Sequence, residues 1–250
     1  MRSAKVVTAL AIAFSSVVAA QSIRIGWPAN PQATDDVFVL RYFDTATGQG
    51  FGTLPGTYAA AATRATSQLA DIAVVGLAGG VQYGALDSSG ASMTASEVTW
   101  NALSVLRIKP ALGRDFVEAE AKGGKVLAIL THATWLSRYQ GRADAVGSRF
   151  VRTNVRYGWR DEGQIIGVLP PGVFAATPEL DPAAQVLVLS TDLLDGSTNR
   201  EGWYSPLIRP RPGVTAGQTQ TALNAAISRL QPTGAADFGL RLESLRSQRH

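Results

Sequence analysis

An α+β fold, with mixed sheets and short helices, is predicted by three observations. Short runs of β-branched and aromatic residues, such as residues 37–43, alternate with short segments of helical periodicity. Glycine and proline, 25 and 12 of the 250 residues, punctuate the chain too often for long helices. Hydrophobic residues make up 46% and mean hydropathy is +0.06, enough apolar side chain for one large core or two small lobes. The same composition excludes a disordered chain, a polytopic membrane protein and a coiled coil. With 0 Cys, disulfides and thiol chemistry are excluded as well.

The first element is an export signal. Arg2 and Lys5 precede an uncharged run at 6–23, and the positive flank keeps the N-terminus cytoplasmic. Two readings of residues 1–24 stand side by side. Val18-Ala19-Ala20 before Gln21 forms a small-residue cleavage site, whereas the uncharged run is also just long enough to cross a membrane as an anchor.

Behind the leader, residues 37–43 predict a first strand, followed by a glycine-rich turn holding Gly48, Gly50 and Gly52. Tyr58, Ala62, Ala65 and Leu69 recur at helical spacing and predict a helix that ends at Asp71. Strands at 72–77 and 93–99 follow, separated by Gly79-Gly80, and then a helical turn at 101–106. The continuous apolar run at 125–130 is too short for an ordinary helix and reads as a strand buried on both faces. Thr131 caps the next helix, in which Trp135, Leu136 and Tyr139 share one face as core anchors until Gly141 stops it. Residues 149–154 and 164–169 read as paired strands around a polar turn at 160–163, and Pro170-Pro171-Gly172 turns the chain away. The last helix carries the strongest signals. Thr215 and Gln218 have capping-box spacing, Leu223, Ile227 and Leu230 follow at i, i+4 and i+7, and Pro232 closes it. Strands at 203–208 and 239–245 flank that helix as a strand-helix-strand unit.

Charge argues against nucleic acid as a partner. The formal +4 includes Arg2 and Lys5 of the leader, leaving +2 for the remainder. Arg24, Arg41, Arg64, Arg107, Arg138 and Arg160 are scattered singly, with no dense basic stripe. Arg241, Arg246 and Arg249 read as a solvated C-terminal end, with approach to an anionic membrane surface as the alternative.

No residue is assigned a catalytic, cofactor-binding or metal-binding role. His132 is the one internal histidine, so a histidine-rich metal site is excluded and a serine-type triad would need it. At a helix start after a buried strand, it reads as a hydrogen-bonded structural residue, and no Gly-x-Ser-x-Gly elbow accompanies it. The Gly48, Gly50, Gly52 loop and Gly123-Gly124-Lys125 lack the hydroxyl and helix context of phosphate loops. Asp115, Glu118 and Glu120 read as a solvated loop in preference to a cation site or a carboxylate pair. Trp27, Trp159 and Trp203 fall in or beside predicted turns, where they either cap the core or anchor a protein partner.

The middle of the chain carries a further signal. The segments 98–106, 109–116, 126–132 ahead of Trp135, 146–148 and 165–174 form a succession that resembles the extracytoplasmic core domain of MacB-type (FtsX-like) ABC-transporter permeases. The resemblance covers most of 36–245, and Trp100 departs from it where the family pattern usually has a small residue. It implies a transmembrane anchor at 1–24, in the inner membrane with the main domain outside the cytoplasm. It also implies a MacB-like core domain over 25–250, in which a second lobe around 113–190 is inserted into a porter-like lobe. The implied function is non-enzymatic, transmitting the motion of a cytoplasmic ATPase by protein contact and conformational coupling. Implied partners are an ABC ATPase, permease subunits carrying the missing transmembrane helices, and envelope proteins, with no cofactor. The polypeptide is then a fragment of a longer permease, an orphan extracytoplasmic module, or a partner that docks on a full one. The alternative from another class is a secreted or periplasmic binding protein released by signal-peptide cleavage.

Overall fold

The computed structural model describes residues 36–76, 83–154, 158–173, 183–190, 203–230 and 238–245. The expected leader, Trp27, Arg246 and Arg249 lie outside these residues. Among the described residues no helix is long and apolar enough to cross a membrane.

In chain order the elements are β1 (Phe38–Asp44), β2 (Gly50–Phe51), β3 (Leu54–Pro55), α1 (Gly56–Thr66), β4 (Ala70–Gly76), β5 (Tyr83–Leu86) and β6 (Ser92–Val98). Next come α2 (Ala102–Val105), β7 (Leu112–Gly113), α3 (Glu118–Lys122), β8 (Leu127–Leu130) and α4 (His132–Tyr139). A 3-10 turn (Ala143–Ala145), β9 (Arg149–Asn154), β10 (Trp159–Val168), β11 (Val186–Leu189), β12 (Trp203–Pro210), α5 (Ala216–Leu230) and β13 (Phe238–Ser244) complete the set.

The strands fall into two hydrogen-bonded groups. In the first, the order is β4-β12-β1-β13, antiparallel throughout. Because β12 lies between β4 and β1, and β1 between β12 and β13, the units β1-α1-β4 and β12-α5-β13 are interleaved split β-α-β units. Their helices share one face of the sheet. Leu40, Tyr42, Ile72, Val74, Leu223 and Ile227 form the apolar cluster beneath α1 and α5. The small residues of α1, including Ala59 and Ala62, let it lie close to α5 and the sheet.

In the second group six strands close on themselves in the order β5-β6-β11-β8-β10-β9 and back to β5. The pairs β6–β11 and β8–β10 are parallel and the other four antiparallel. Closure removes the unpaired edges that open sheets must otherwise protect. Side chains alternate in and out of this ring. Ala85, Met93, Leu130, Phe150, Ile165 and Val186, one from each strand, belong to the cluster that fills it. The alternate residues Ile129, Leu187 and Leu189 join Leu103 of α2, Val75 of β4 and Leu207 of β12 in a third cluster, which makes the apolar interior continuous between the two groups. The Val75–Val98 pair of β4 and β6 joins them through the backbone.

Several expectations are corrected. The polar stretch 160–163 is no turn: it lies within the ten-residue strand β10, with Asp161 opposite Arg152 and Gly163 opposite Phe150. The ring lets polar residues alternate, so Arg160 and Glu162 are outside while Gly163 leaves room for the Phe150 ring. Helix α1 stops at Thr66, whose buried hydroxyl bonds back to the Ala62 carbonyl, and Asp71 belongs to β4 opposite Arg209. Leu136 and Leu230, expected in the core, are 51% and 42% exposed. Strands β5, β7 and β11 and helix α3 were not anticipated. The apolar run Val186-Leu187-Val188-Leu189, fully buried in β11, was the missed signal.

Candidate functional site

A cleft of about 920 Å3 opens where α2 packs beside the split β-α-β sheet. It lies beside the start of β1, where Asp36 lines it. Its walls come from the start of β4, the end of β12 and helix α2. Arg209 and Asp71 are register partners on β12 and β4, and Arg211 follows on the turn beyond β12. Arg107 follows α2 in the left-handed region, with φ of 52°, an uncommon conformation for a residue with a Cβ.

The cleft is lined by ion pairs. Arg107 Nη2 reaches Asp36 Oδ2 at 2.9 Å, Arg209 Nη2 lies 3.5 Å from Asp36 Oδ1, and Arg211 Nε lies 3.4 Å from Asp71 Oδ1. Burial pulls the Arg209 guanidinium below its ordinary range; the Asp36 charge opposes that shift and the Arg107 charge adds to it. Beneath the ion pairs, Asn101 Nδ2 donates to the Ile72 carbonyl at 2.7 Å and Thr99 Oγ1 accepts from the Val74 amide at 3.0 Å. These bonds hold the start of α2 on β4. Trp100 lines the cleft and packs on the shared core. The lining offers paired guanidinium and carboxylate groups, which suits exchange of ion pairs with a polar partner surface more than bond-making.

The two ends of the closed ring are built differently. At one end Arg152 bridges Asp161 at 2.9 Å and Glu97 at 3.8 Å. At the other, Trp135 and Tyr139 of α4 pack on the ring interior. Thr131 caps α4 as expected, accepting from the Thr134 amide at 3.2 Å. Arg138 latches α4 to the β5–β6 hairpin through Asp87 at 2.9 Å and the Ser92 carbonyl at 2.6 Å. Burial pulls the Asp87 carboxyl up, but Ser89, Arg138 and the Ala91 amide together hold it below the usual range. Leu136 stands exposed on the outer face of this helix.

The residues singled out from sequence are dispersed. His132 opens α4 with its ring edge-on to Trp135, 5.5 Å between centroids. Asp115, Glu118 and Glu120 are not a solvated loop. Glu120 is buried and takes both Arg114 Nη1 and Nη2, at 3.0 and 2.6 Å, and accepts the Val117 amide, starting α3. The Arg114 hydrogen bonds hold the Glu120 carboxyl below its usual range. Glu118 pairs instead with Lys122, and burial pushes Asp115 up to about 6. The Gly48 turn is organised by Asp44, whose carboxylate accepts the Ala46 and Thr47 amides. Gly123 and Gly124 close α3. Trp159 and Trp203 are the first residues of β10 and β12, Trp159 directly beside the turn at Gly158. Arg241 is no free end: it lies in β13 with its guanidinium 4.6 Å over the Phe43 ring. Among the described residues no group of three or more His, Cys, Asp or Glu is placed to hold a metal. The cleft arginines were missed because their partners are distant in sequence; only the alternation Arg209-Pro210-Arg211-Pro212 hinted at them.

Solved structures share this arrangement. The periplasmic region of MacB from Actinobacillus actinomycetemcomitans aligns with a TM-score of 0.56 at 12% identity, covering 86% of this chain and 92% of that one. A domain of a protein described as a permease, from Porphyromonas gingivalis, gives 0.58 at 17% identity, with 85% and 90% covered. The extracellular domain of the noncanonic ABC-type transporter YknZ from Gram-positive bacteria gives 0.52 at 12% identity, with 83% and 99% covered. At these identities the likeness is one of fold. No curated protein matches the sequence. The family model described as the MacB-like periplasmic core domain matches residues 3–226, and the chain belongs to that family.

Proposed function

We propose that this chain works outside the cytoplasm as the core domain of a MacB/FtsX-type ABC-transporter system, by protein contact and conformational coupling and without catalysis. The observation that carries the reading is the pairing of the start of β1 with the end of β13. Val37 and Leu245 are hydrogen-bonded neighbours, and both are buried in the apolar cluster that ring residues Ile129, Leu187 and Leu189 share. A domain held at that point passes displacement to the ring packed on the same core. The leader at 1–24 is the tether in this reading, holding the 25–250 domain on the outer side of the inner membrane.

The grouping of strands favours two lobes. The split β-α-β sheet is the porter-like lobe, and the closed ring, to which β5 and β6 contribute along with residues 113–190, is the second. Their continuous core makes them move together, and the Arg107–Asp36 ion pair ties the end of α2 to the start of β1. Motion comes from an ABC ATPase acting through the membrane-spanning part of a permease, and the ring contacts envelope proteins.

Topology tests the reading directly. The chain has 0 Cys, so Leu136→Cys places a single thiol on the exposed face of α4. Labelling by a membrane-impermeant maleimide in intact spheroplasts is expected, with the labelled protein staying in the membrane fraction. Protection until the cells are lysed overturns the extracytoplasmic assignment, and a labelled protein released to the medium favours a secreted binding protein.

A further inference from the structure

Among the described residues, strand β13 ends the path of the open sheet, paired to β1 on one side. The register sets which peptide groups face outward. The Leu245 amide bonds the Val37 carbonyl, so the odd-numbered residues of β13 bond β1 while Leu240 and Leu242 turn their amide and carbonyl groups to the open side. Such a row is a template for another strand.

The Gln220 side chain occupies part of it. Gln220 reaches down from α5, donates from Nε2 to the Leu240 carbonyl at 2.7 Å, and accepts the Leu242 amide on Oε1 at 2.8 Å. A second bond from Nε2 to Asn224 Oδ1, at 2.9 Å, holds the amide in place. Its donor and acceptor stand where a neighbouring strand's peptide groups would stand. A groove of about 350 Å3 beside it, lined by Phe43, Asn224, Ile227 and Phe238, leaves space along the same edge.

We propose that β13 is a latent pairing edge for a second copy of this chain, and that Gln220 holds it shut. The occupant follows from charge. An antiparallel pairing of β13 with itself, centred on Leu242, makes Leu242 a hydrogen-bonded pair with its counterpart. Arg241 then lies opposite Glu243 of the second copy, and Glu243 opposite Arg241 of the second copy, giving two cross-strand ion pairs on one face. A register centred on Arg241 would set like charges together. With the Gln220 amide in place, Leu242 cannot donate to a second copy, so the pairing waits for its removal.

The test uses the full chain in mild detergent, where the 0 Cys background makes single thiols clean. R241C and E243C proteins carrying different tags are mixed, oxidised, and scored for the mixed dimer, in the native background and with Gln220→Met. Methionine keeps the length and helix preference of glutamine without its amide. The mixed dimer is expected to rise on the order of tenfold with Gln220→Met, and to exceed either self-linked dimer. Gln220→Ala, with circular dichroism to verify folding, is expected to behave alike. Equal cross-linking with and without Gln220, or self-linked R241C dimers outnumbering mixed ones, overturns the proposal.

Discussion

Arg114 and Glu120 illustrate how single side chains set local structure here. A two-pronged, charge-assisted pair is stronger than a neutral hydrogen bond, and Glu120 uses the same carboxylate to receive the Val117 amide. Glu120→Ala should therefore cost about 2 kcal/mol in urea unfolding, much of it from losing the start of α3. Asp115, next in sequence to Arg114, behaves oppositely. Burial raises its carboxyl to about 6, so the folded state favours the protonated form. That contribution is present below the unfolded value near 4 and is lost as pH rises through about 6. Asp115→Asn should leave stability at pH 4 nearly unchanged and raise it by about 1 kcal/mol at pH 8, after allowance for partial exposure; thermal melts at the two pH values check this. Gly163 is limited by space. A Cβ there would stand 2.5 Å from both Phe150 Cε1 and the Val126 carbonyl oxygen, so Gly163→Ala should lower stability by about 3 kcal/mol, measured by chemical denaturation. Little of this was legible in sequence. Residues 114–120 look like a hydrophilic loop because the pairing of Arg114 with Glu120 is a matter of chain path, and Gly163 beside charged residues reads as a turn until its strand is known.

At the scale of elements, sequence and structure agree where local signals suffice. The α5 capping box forms as the spacing implies, Thr215 Oγ1 accepting the Gln218 amide at 3.2 Å and Gln218 Oε1 the Thr215 amide at 2.8 Å. Thr215→Ala should destabilise by about 1 kcal/mol, seen as a lower midpoint with unchanged slope in urea. The strand β8 was likewise readable, since four successive buried residues need cover on both faces and receive it from the ring interior around Ala128 and Leu130 and from the cluster that joins Leu127 and Ile129 to Leu103 of α2. Disagreement arises where a partner outside the window decides the outcome. Helix α1 gives way to β4 because Ala70 and Asp71 are claimed by Pro210 and Arg209 of a strand far along the chain. The ten residues of β10 hold together because β9 pairs with the first six, Trp159 to Gln164, and β8 takes over from Gln164 to Val168. Leu230 at the end of α5 keeps the helical period but runs past the sheet that buries Leu223 and Ile227.

At the scale of the whole molecule, the ring and the split β-α-β sheet share one apolar interior. Phe150 is fully buried within the ring, and Phe150→Ala should cost about 3–5 kcal/mol by leaving a cavity that six paired strands cannot collapse around. This architecture was legible as a class, from alternating short strands and helices and from the run of segments in 98–174. The ring was not, because closure depends on β5 and β11, whose pairing with β9 and β6 no local pattern specifies. The central claim is that the domain serves as the contact-making part of an ABC-transporter assembly. Affinity purification of the tagged full chain from detergent-solubilised native membranes, followed by measurement of ATP hydrolysis in the eluate, tests it most directly. The account predicts co-recovery of an ABC ATPase with its permease and measurable ATP hydrolysis; recovery of the chain alone, with no ATPase bound, would contradict it.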